Sequence, residues 1–511
     1  MRFTSALLIL FAAFGGFVNV HAMEAASEIT GFVEINVTPG SFAPIAPLFT
    51  PPAKALGRVT SVTNEGTVTL ALGGDTTDAA TSWWRPVSGK AVGKAVFGTL
   101  AADQLTYATE YGAAPPTGAA TASLLQKGDL LRLTPFWLVD EFLGSPANGL
   151  FTTAASLSNA DQFTWGAVRG WANDDGTSKF WAQAGSAPAT YIGDVALSGP
   201  LEGMTFFRSE AGPEASHVVL TFKGSAAIGD TLFKIVPGNW QQSGIFRTDG
   251  KPFSLADAAN TAGGLLTGNA ATGLVGGASP DKADFLGLWS ETAQQWTWVY
   301  YNTTSHHWLF TSGGSLNAAT TVVPGGMMVF VDRAASKAPG LVRMPGISNT
   351  VSTTATALPV VDRDHDNLRD SWEATYDLVN HKGLKPGDDP DGDGYTNLQE
   401  FLLGGDPNVF DHPGMPAIDV SGPEGAKVVT ITFKTAPGCH YRLETRRGDE
   451  VTWRRVPGSD GLTELDGDGT VKALTDSSYA FMNRMPHFYR VVGMPPLDSD
   501  KDGVSDDEEI N

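Results

Sequence analysis

Three twelve-residue stretches place oxygen-bearing side chains in one spacing: DRDHDNLRDSWE from Asp362, DPDGDGYTNLQE from Asp389 and DSDKDGVSDDEE from Asp498. Acids stand at positions 1, 3 and 5, Asn or Gly at 6, Asp or Asn at 9, and Glu at 12. A hard divalent ion that takes ~6–8 oxygens is satisfied by that order, so the chemistry is Ca²⁺ ligation. The three early carboxylates give one oxygen each and the position-7 carbonyl another. Position 9 acts directly or through water, and the final Glu binds through both oxygens. The first ligand set is Asp362, Asp364, Asp366, the Leu368 carbonyl, Asp370 and Glu373. The second is Asp389, Asp391, Asp393, the Tyr395 carbonyl, Asn397 and Glu400. The third is Asp498, Asp500, Asp502, the Val504 carbonyl, Asp506 and Glu509. Position 6 must turn sharply, which Gly394 and Gly503 allow freely and Asn367 tolerates.

The chain's charge agrees with this reading. Its formal net charge is −21, and residues 361–411 contain 13 Asp/Glu against 4 Lys/Arg, while residues 498–511 contain 7 against 1. The loops and their surroundings therefore hold −15 of the −21. Two unit charges 4 Å apart repel by ~1 kcal/mol in water and ~4 kcal/mol at an effective dielectric near 20. Loops this acidic stay open until a divalent cation reverses the sign, which makes binding and ordering one event. No basic stripe accompanies the acid, so nucleic acid is not an expected partner.

The elements that carry these loops are read from pattern. With 511 residues, the chain exceeds one compact core, and a mainly β, multidomain architecture is expected. Residues 1–22 read as a secretory signal cleaved after Ala22, with Arg2, an apolar run from Ala6 to Val18, and Val20-His21-Ala22. That run is too short to span a bilayer, and no later segment could cross one as a helix. The expected location is therefore secreted, extracellular or cell-surface. Cys439 stands alone, so no intramolecular disulfide is available.

Residues 23–346 form a large antiparallel β-rich N-terminal domain, rich in short alternating runs such as Gly31–Val37, Arg58–Val62, Thr67–Leu72, Leu130–Thr134 and His217–Phe222. Val59–Val62 and Val68–Leu72 read as a hairpin. Gly128-Asp129 leading to Pro135 echoes Gly229-Asp230 leading to Pro237, which marks a duplicated β unit. Residues 347–360 are a linker, 361–411 the tandem loop–helix calcium repeats, 412–493 a small β-sandwich, and 494–511 the third loop. The helices after the first two loops carry Trp372 and Tyr376, and Leu398, Phe401 and Leu402, as apolar faces that can pack together.

The loops resemble thrombospondin type 3 and dockerin-like repeats, which are EF-hand-like loops without an entering helix. Position 8 is Arg369, Thr396 or Ser505 instead of the apolar residue of a paired EF-hand. This resemblance implies that Ca²⁺ stiffens an extracellular stalk. The set Gly128-Asp129, Thr134-Pro135-Phe136-Trp137, Trp289, Tyr300-Tyr301-Asn302, His307-Trp308 and Pro324-Gly325-Gly326-Met327 resembles an uncharacterised family of secreted bacterial β-rich proteins. Tyr441-Arg-Leu443-Glu444, Trp453 and Phe488-Tyr489-Arg490-Val491 resemble immunoglobulin- or fibronectin-like modules.

Two functional readings follow. In the first, Ca²⁺ rigidifies a stalk between β domains of an adhesion, matrix or surface protein whose partner is an extracellular polysaccharide or surface protein. In the second, the Trp/Tyr cluster at 289–308 stacks sugar rings of a carbohydrate-binding protein or polysaccharide-acting hydrolase, with the loops as a docking module. No Gly-x-Ser-x-Gly elbow, His-Glu-x-x-His or Gly-rich phosphate loop is present, so a non-enzymatic role is favoured. Asp466-Gly-Asp468-Gly lacks the later ligands and reads as a hairpin turn.

Overall fold

Val218 to Ala226 alternates without a break, and its side chains are buried and half-buried in strict turn. This strand pairs in continuous antiparallel register with Thr30–Val37, from Val218 opposite Val37 to Ser225 opposite Thr30. The computed structural model describes residues 25–495 except 64–66, 78, 111–124, 198–202, 212–216, 239–243, 259–264, 271, 318–319, 334–336, 350–365, 367, 377–384, 412–414 and 458–462. The expected signal, most of the linker, and the third loop's ligand positions lie outside these residues. The fold is mainly β, built from several antiparallel sheets with a multidomain layout. No helix among the described residues is long and apolar enough to cross a membrane.

The hairpin read at 59–72 opens a closed barrel. Its strands run in the order Leu130–Pro135, Ala55–Val62, Thr67–Gly74, Gln104–Glu110, Val96–Ala101 and Ser82–Pro86, and the last pairs with the first. Val59, Val68, Leu70, Trp84, Leu131 and Leu133 fill its interior.

The echo of Gly-Asp dipeptides marks a larger duplication. Gly128 and Gly229 both have left-handed φ, 96° and 75°, and each leads into a strand, Leu130–Pro135 or Thr231–Ile235. Two five-stranded sheets then share one strand order. One runs Lys179–Gln183, Val168–Asp174, Gln162–Trp165, Met204–Phe207, Phe42–Ile45. The other runs His307–Phe310, Gln295–Asn302, Phe285–Ser290, Val329–Asp332, Gly244–Ile245. In both, an Asp before the third strand pairs with a buried Arg after the fourth: Asp161 with Arg208 at 2.5 Å, and Asp284 with Arg333 at 2.9 Å. In both, a Trp of the first strand donates its indole N–H to a backbone carbonyl, Trp181 to Gly144 at 2.8 Å and Trp308 to Leu255 at 3.0 Å. These pairs occupy equivalent places, which the two short dipeptides alone could not establish.

The aromatic cluster at 289–308 belongs to the second of these sheets. Trp296 packs on Phe330 and Trp289, with ring centroids 4.6 and 5.1 Å apart, and all lie against the main core. Trp289, Trp296, Trp298 and Tyr301 are half-buried, each packing one side of its ring against this core. His306 sits in the turn at φ 57° and His307 begins the next strand.

At the other end of the chain, Ala417–Ser421, Val428–Lys434 and Val471–Asp476 form a three-stranded sheet. Its Val429, Ile431, Phe433 and Leu474 share a core with Tyr441, Leu443, Tyr489 and Val491 of His440–Arg447 and His487–Met494. The expected sandwich is thus present in outline, but its second sheet continues past residue 412. His487–Met494 pairs with Ala25–Ala26 and with Thr30–Val37, so strands from both ends of the chain lie in one sheet. Thr30–Val37 accordingly alternates between two cores, Phe32 facing the C-terminal one and Val33, Ile35 and Val37 the larger one. The Asp466–Asp468 turn does not close a hairpin. Glu464–Asp466 pairs with His440–Arg447 and Val471–Asp476 with Val428–Lys434, so the turn passes between sheets. Asp468 is occupied by the Thr470 hydroxyl at 2.6 Å and Lys472 at 2.5 Å, not by a ligand cluster. Cys439 is free and buried, which pushes its thiol up to about 12.

Candidate metal centre

The second loop folds by local hydrogen bonds that its residue order dictates. The Asp389 carboxylate accepts the Gly394 N–H at 3.0 Å, Asp391 accepts that of Asp393 at 3.0 Å, and Asp393 accepts that of Tyr395 at 2.7 Å. Short acids two residues before an N–H make such turns readily. Gly394 at position 6 has φ 97°, the left-handed turn that the register required. Gly392 at position 4 has φ 75° and lies against the Arg58 guanidinium, leaving no room for a Cβ. The chain then enters the helix Asn397–Leu403 through a capping box. Gln399 N–H donates to the Thr396 hydroxyl at 3.4 Å, and Thr396 N–H to the Gln399 side chain at 2.9 Å. Gly404 ends the helix in the left-handed conformation.

This path brings oxygens of Asp389, Asp391 and Asp393 within 4.8 Å of one another. The first helical turn carries Glu400, which is fully buried and lies in the field of these carboxylates, beside the close cluster of three. Both Glu400 carboxylate oxygens lie below the surface with no hydrogen-bond partner, as do Asp391 Oδ2 and Asn397 Oδ1. A buried, unpartnered carboxylate is costly unless something is meant to meet it. Its ordinary acidity is lost accordingly. Burial, with the fields of Asp393, Asp391, Asp411 and Asp389, pushes Glu400 up to about 9. Burial, with neighbouring carboxylates, likewise raises Asp393 to about 7 and Asp391 to about 6.

Asp411 is the residue the spacing did not reveal. After Gly404 and Gly405 the chain turns back, and the Asp411 N–H donates to Asp393 Oδ2 at 3.2 Å. Its Oδ1 is buried without a partner, and burial, with Asp406, raises its carboxyl. Asp411 was visible only as part of the acidic excess, because it lies outside the twelve-residue register.

The set fits a hard cation. Asp389, Asp391 and Asp393 bring one oxygen each together, Asp411 is hydrogen-bonded to Asp393, and by register the Tyr395 carbonyl and the two Glu400 oxygens would complete the set. An all-oxygen set with a two-oxygen Glu suits the larger, flexible coordination shell of Ca²⁺ better than the strict octahedron of Mg²⁺ or the N/S preference of Zn²⁺.

The loop is held from both sides. Arg58 donates to the Asp391 carbonyl at 3.0 Å and stacks over Phe410, tying the loop to the barrel. The Tyr395 ring is buried in the C-terminal core, and its hydroxyl donates to Glu28 at 2.9 Å. Tyr441 donates to the Leu402 carbonyl at 2.9 Å.

The first loop is only partly described. Asp362 and Asp364 lie outside the described residues. Asp366 accepts the Leu368 N–H at 2.9 Å, Leu368 is buried in the C-terminal core, and Glu373 is buried. Its helix, Asp370–Tyr376, sets Trp372 against Phe401 of the second at 5.4 Å, so the two apolar faces meet as expected. In the third loop, Asp498, Asp500, Asp502, Val504, Asp506 and Glu509 all lie outside the described residues. Comparison with protein-family models, with curated proteins and with solved structures returns no match to this chain.

Proposed function

We propose that this protein is a Ca²⁺-binding structural protein that works outside the cytoplasm, in a surface, matrix or adhesion role. The observation that carries the reading is Glu400, fully buried with two unpartnered oxygens and surrounded by four other carboxylates. The ion would replace mutual repulsion among Asp389, Asp391, Asp393, Asp411 and Glu400 with attraction. It would thereby fasten the loop that touches the barrel through Arg58 and the C-terminal core through Tyr395. This refines the stalk expected from the thrombospondin type 3 likeness, since the second loop is packed between folded units and acts as a clamp. The partner class remains an extracellular polysaccharide or surface protein. Calorimetric titration of the whole chelated chain with Ca²⁺ tests the reading. Saturable binding is expected, with one site lost in Glu400→Gln and another in Glu373→Gln. Absence of binding, or a full complement of sites in Glu400→Gln, overturns it.

A further inference from the structure

Arg85 and Arg132 lie directly opposite each other on adjacent barrel strands, Ser82–Pro86 and Leu130–Pro135. Like charges in that position destabilise a sheet. Only one of the two is neutralised: Arg132 pairs with Glu28 at 2.5 Å, and the same Glu28 oxygen accepts the Tyr395 hydroxyl. Arg85 donates a single hydrogen bond, to the Ile228 carbonyl at 3.2 Å, and forms no ion pair among the described residues. Burial and the field of Arg132, only partly countered by Glu28, push its guanidinium down to about 10. The pair faces a cavity of about 530 Å³, within the ~300–1,000 Å³ of small-molecule sites. Asp393 and Gly394 of the second loop line the same cavity.

We propose that this cavity binds a small organic monoanion through its carboxylate, held in a fork by Arg85, and that Ca²⁺ in the second loop strengthens the binding. The charge inventory selects the ligand. Arg85 and Arg132 are offset by Glu28 and by the ionised fraction of Asp393, and loading the loop engages Asp393 with the ion and takes it out of that balance. One net positive charge remains, which matches a single carboxylate better than a doubly charged phosphate. The remaining wall alternates small polar groups with Ala, Pro, Val and Leu side chains, which suits the mixed faces of a sugar acid. Among extracellular monoanions of this size, a hexuronic acid has that chemistry. The metal dependence rests on the Ca²⁺ reading above; the carboxylate fork does not.

The test is calorimetry of the full chain with D-glucuronate, D-glucose and inorganic phosphate, each in Ca²⁺ and in chelator. Glucuronate is expected to bind at least ~tenfold tighter than glucose or phosphate, and to weaken in chelator. Loss of one charge-assisted pair in Arg85→Gln should cost at least ~tenfold. Arg85→Lys, which keeps charge but loses the planar fork, should recover only part of it. Val92 lines the rim and is exposed, so Val92→Trp blocks the mouth without touching the core. Its Ca²⁺ titration should match wild type while glucuronate binding is lost. Glucuronate binding no tighter than glucose, binding unchanged in both Arg85→Gln and Val92→Trp, or phosphate binding the tighter, overturns the proposal. Ca²⁺ uptake without glucuronate binding sinks this inference alone. Glucuronate binding that ignores Ca²⁺ keeps the fork and removes only the coupling.

Discussion

Replacing Glu400 by Gln should do opposite things in chelator and in Ca²⁺. In the metal-free protein the folded-state carboxyl titrates near 9, against 4.5 for an unperturbed Glu. An acid whose folded pKa is raised holds a proton that the unfolded chain has released. Stability is therefore lost progressively as pH rises from 4.5 towards about 9. At neutral pH the gap is roughly 2.5 units, and at ~1.4 kcal/mol per unit the carboxyl costs about 3 kcal/mol. Gln fills the same volume and cannot ionise, so Glu400→Gln should stabilise the chelated protein by up to about 3 kcal/mol at neutrality. Near pH 5 the gap is roughly half a unit, and the advantage should shrink below ~1 kcal/mol. In Ca²⁺ the order reverses once the free ion stands about a thousandfold above its Kd, where wild type gains ~4.1 kcal/mol and the variant does not. Urea denaturation at two pH values, with EDTA or with Ca²⁺, measures all four cases. A variant less stable than wild type in EDTA at neutral pH would show that the Glu400 carboxylate has a structural partner, and would refute the argument.

Two further outcomes follow from the same geometry. Since Glu400 and Asp393 titrate near 9 and 7 in the empty site, Ca²⁺ binding at neutrality should release roughly one to two protons per ion, and affinity should rise with pH. Calorimetry in buffers of different ionisation enthalpy counts them, and release of none contradicts the buried, protonated site. Asp411→Asn keeps the backbone N–H that reaches Asp393 but removes one charge, so Ca²⁺ affinity should fall by about tenfold. A change below twofold places Asp411 outside the coordination shell.

Much of this fold could be read from period-two patterning because its strands are half-buried. Val218–Ala226 alternates cleanly and was read from His217 to Phe222, close to its start but four residues short of its end. Thr30–Val37 was also found, but not its meaning. A strand buried on both faces reads like any apolar run, and nothing local says that its two faces serve different cores. Pairing of Thr30–Val37 with His487–Met494 joins residues more than 450 positions apart, which no window of sequence samples. The candidate site and its supports show the same division. Asp389 to Glu400 are a local register and were legible by count. Asp411 and Glu28 enter by the path of the chain after Gly404 and by the position of Tyr395, both of which are tertiary facts. The duplication was audible in two Gly-Asp dipeptides, yet the buried pairs Asp161–Arg208 and Asp284–Arg333 are separated by 47 and 49 positions and needed the strand order to be recognised.

The placement of the second loop also explains why an ion could matter to the whole chain. A helix of seven residues has too few internal hydrogen bonds to stand alone in water, so Asn397–Leu403 depends on what it packs against. Leu398, Phe401, Leu402 and Leu403 supply that packing to the C-terminal core, while Arg58 grips the loop from the barrel and Glu28 receives Tyr395 beside the N-terminal strand. These contacts come from three distant parts of the sequence and converge on twelve residues whose acids repel one another. Without a cation, that repulsion acts at the junction and not at a free end. A clamp of this kind couples metal loading to the relative rigidity of every unit it touches, whereas the same loop on an isolated stalk would stiffen only itself.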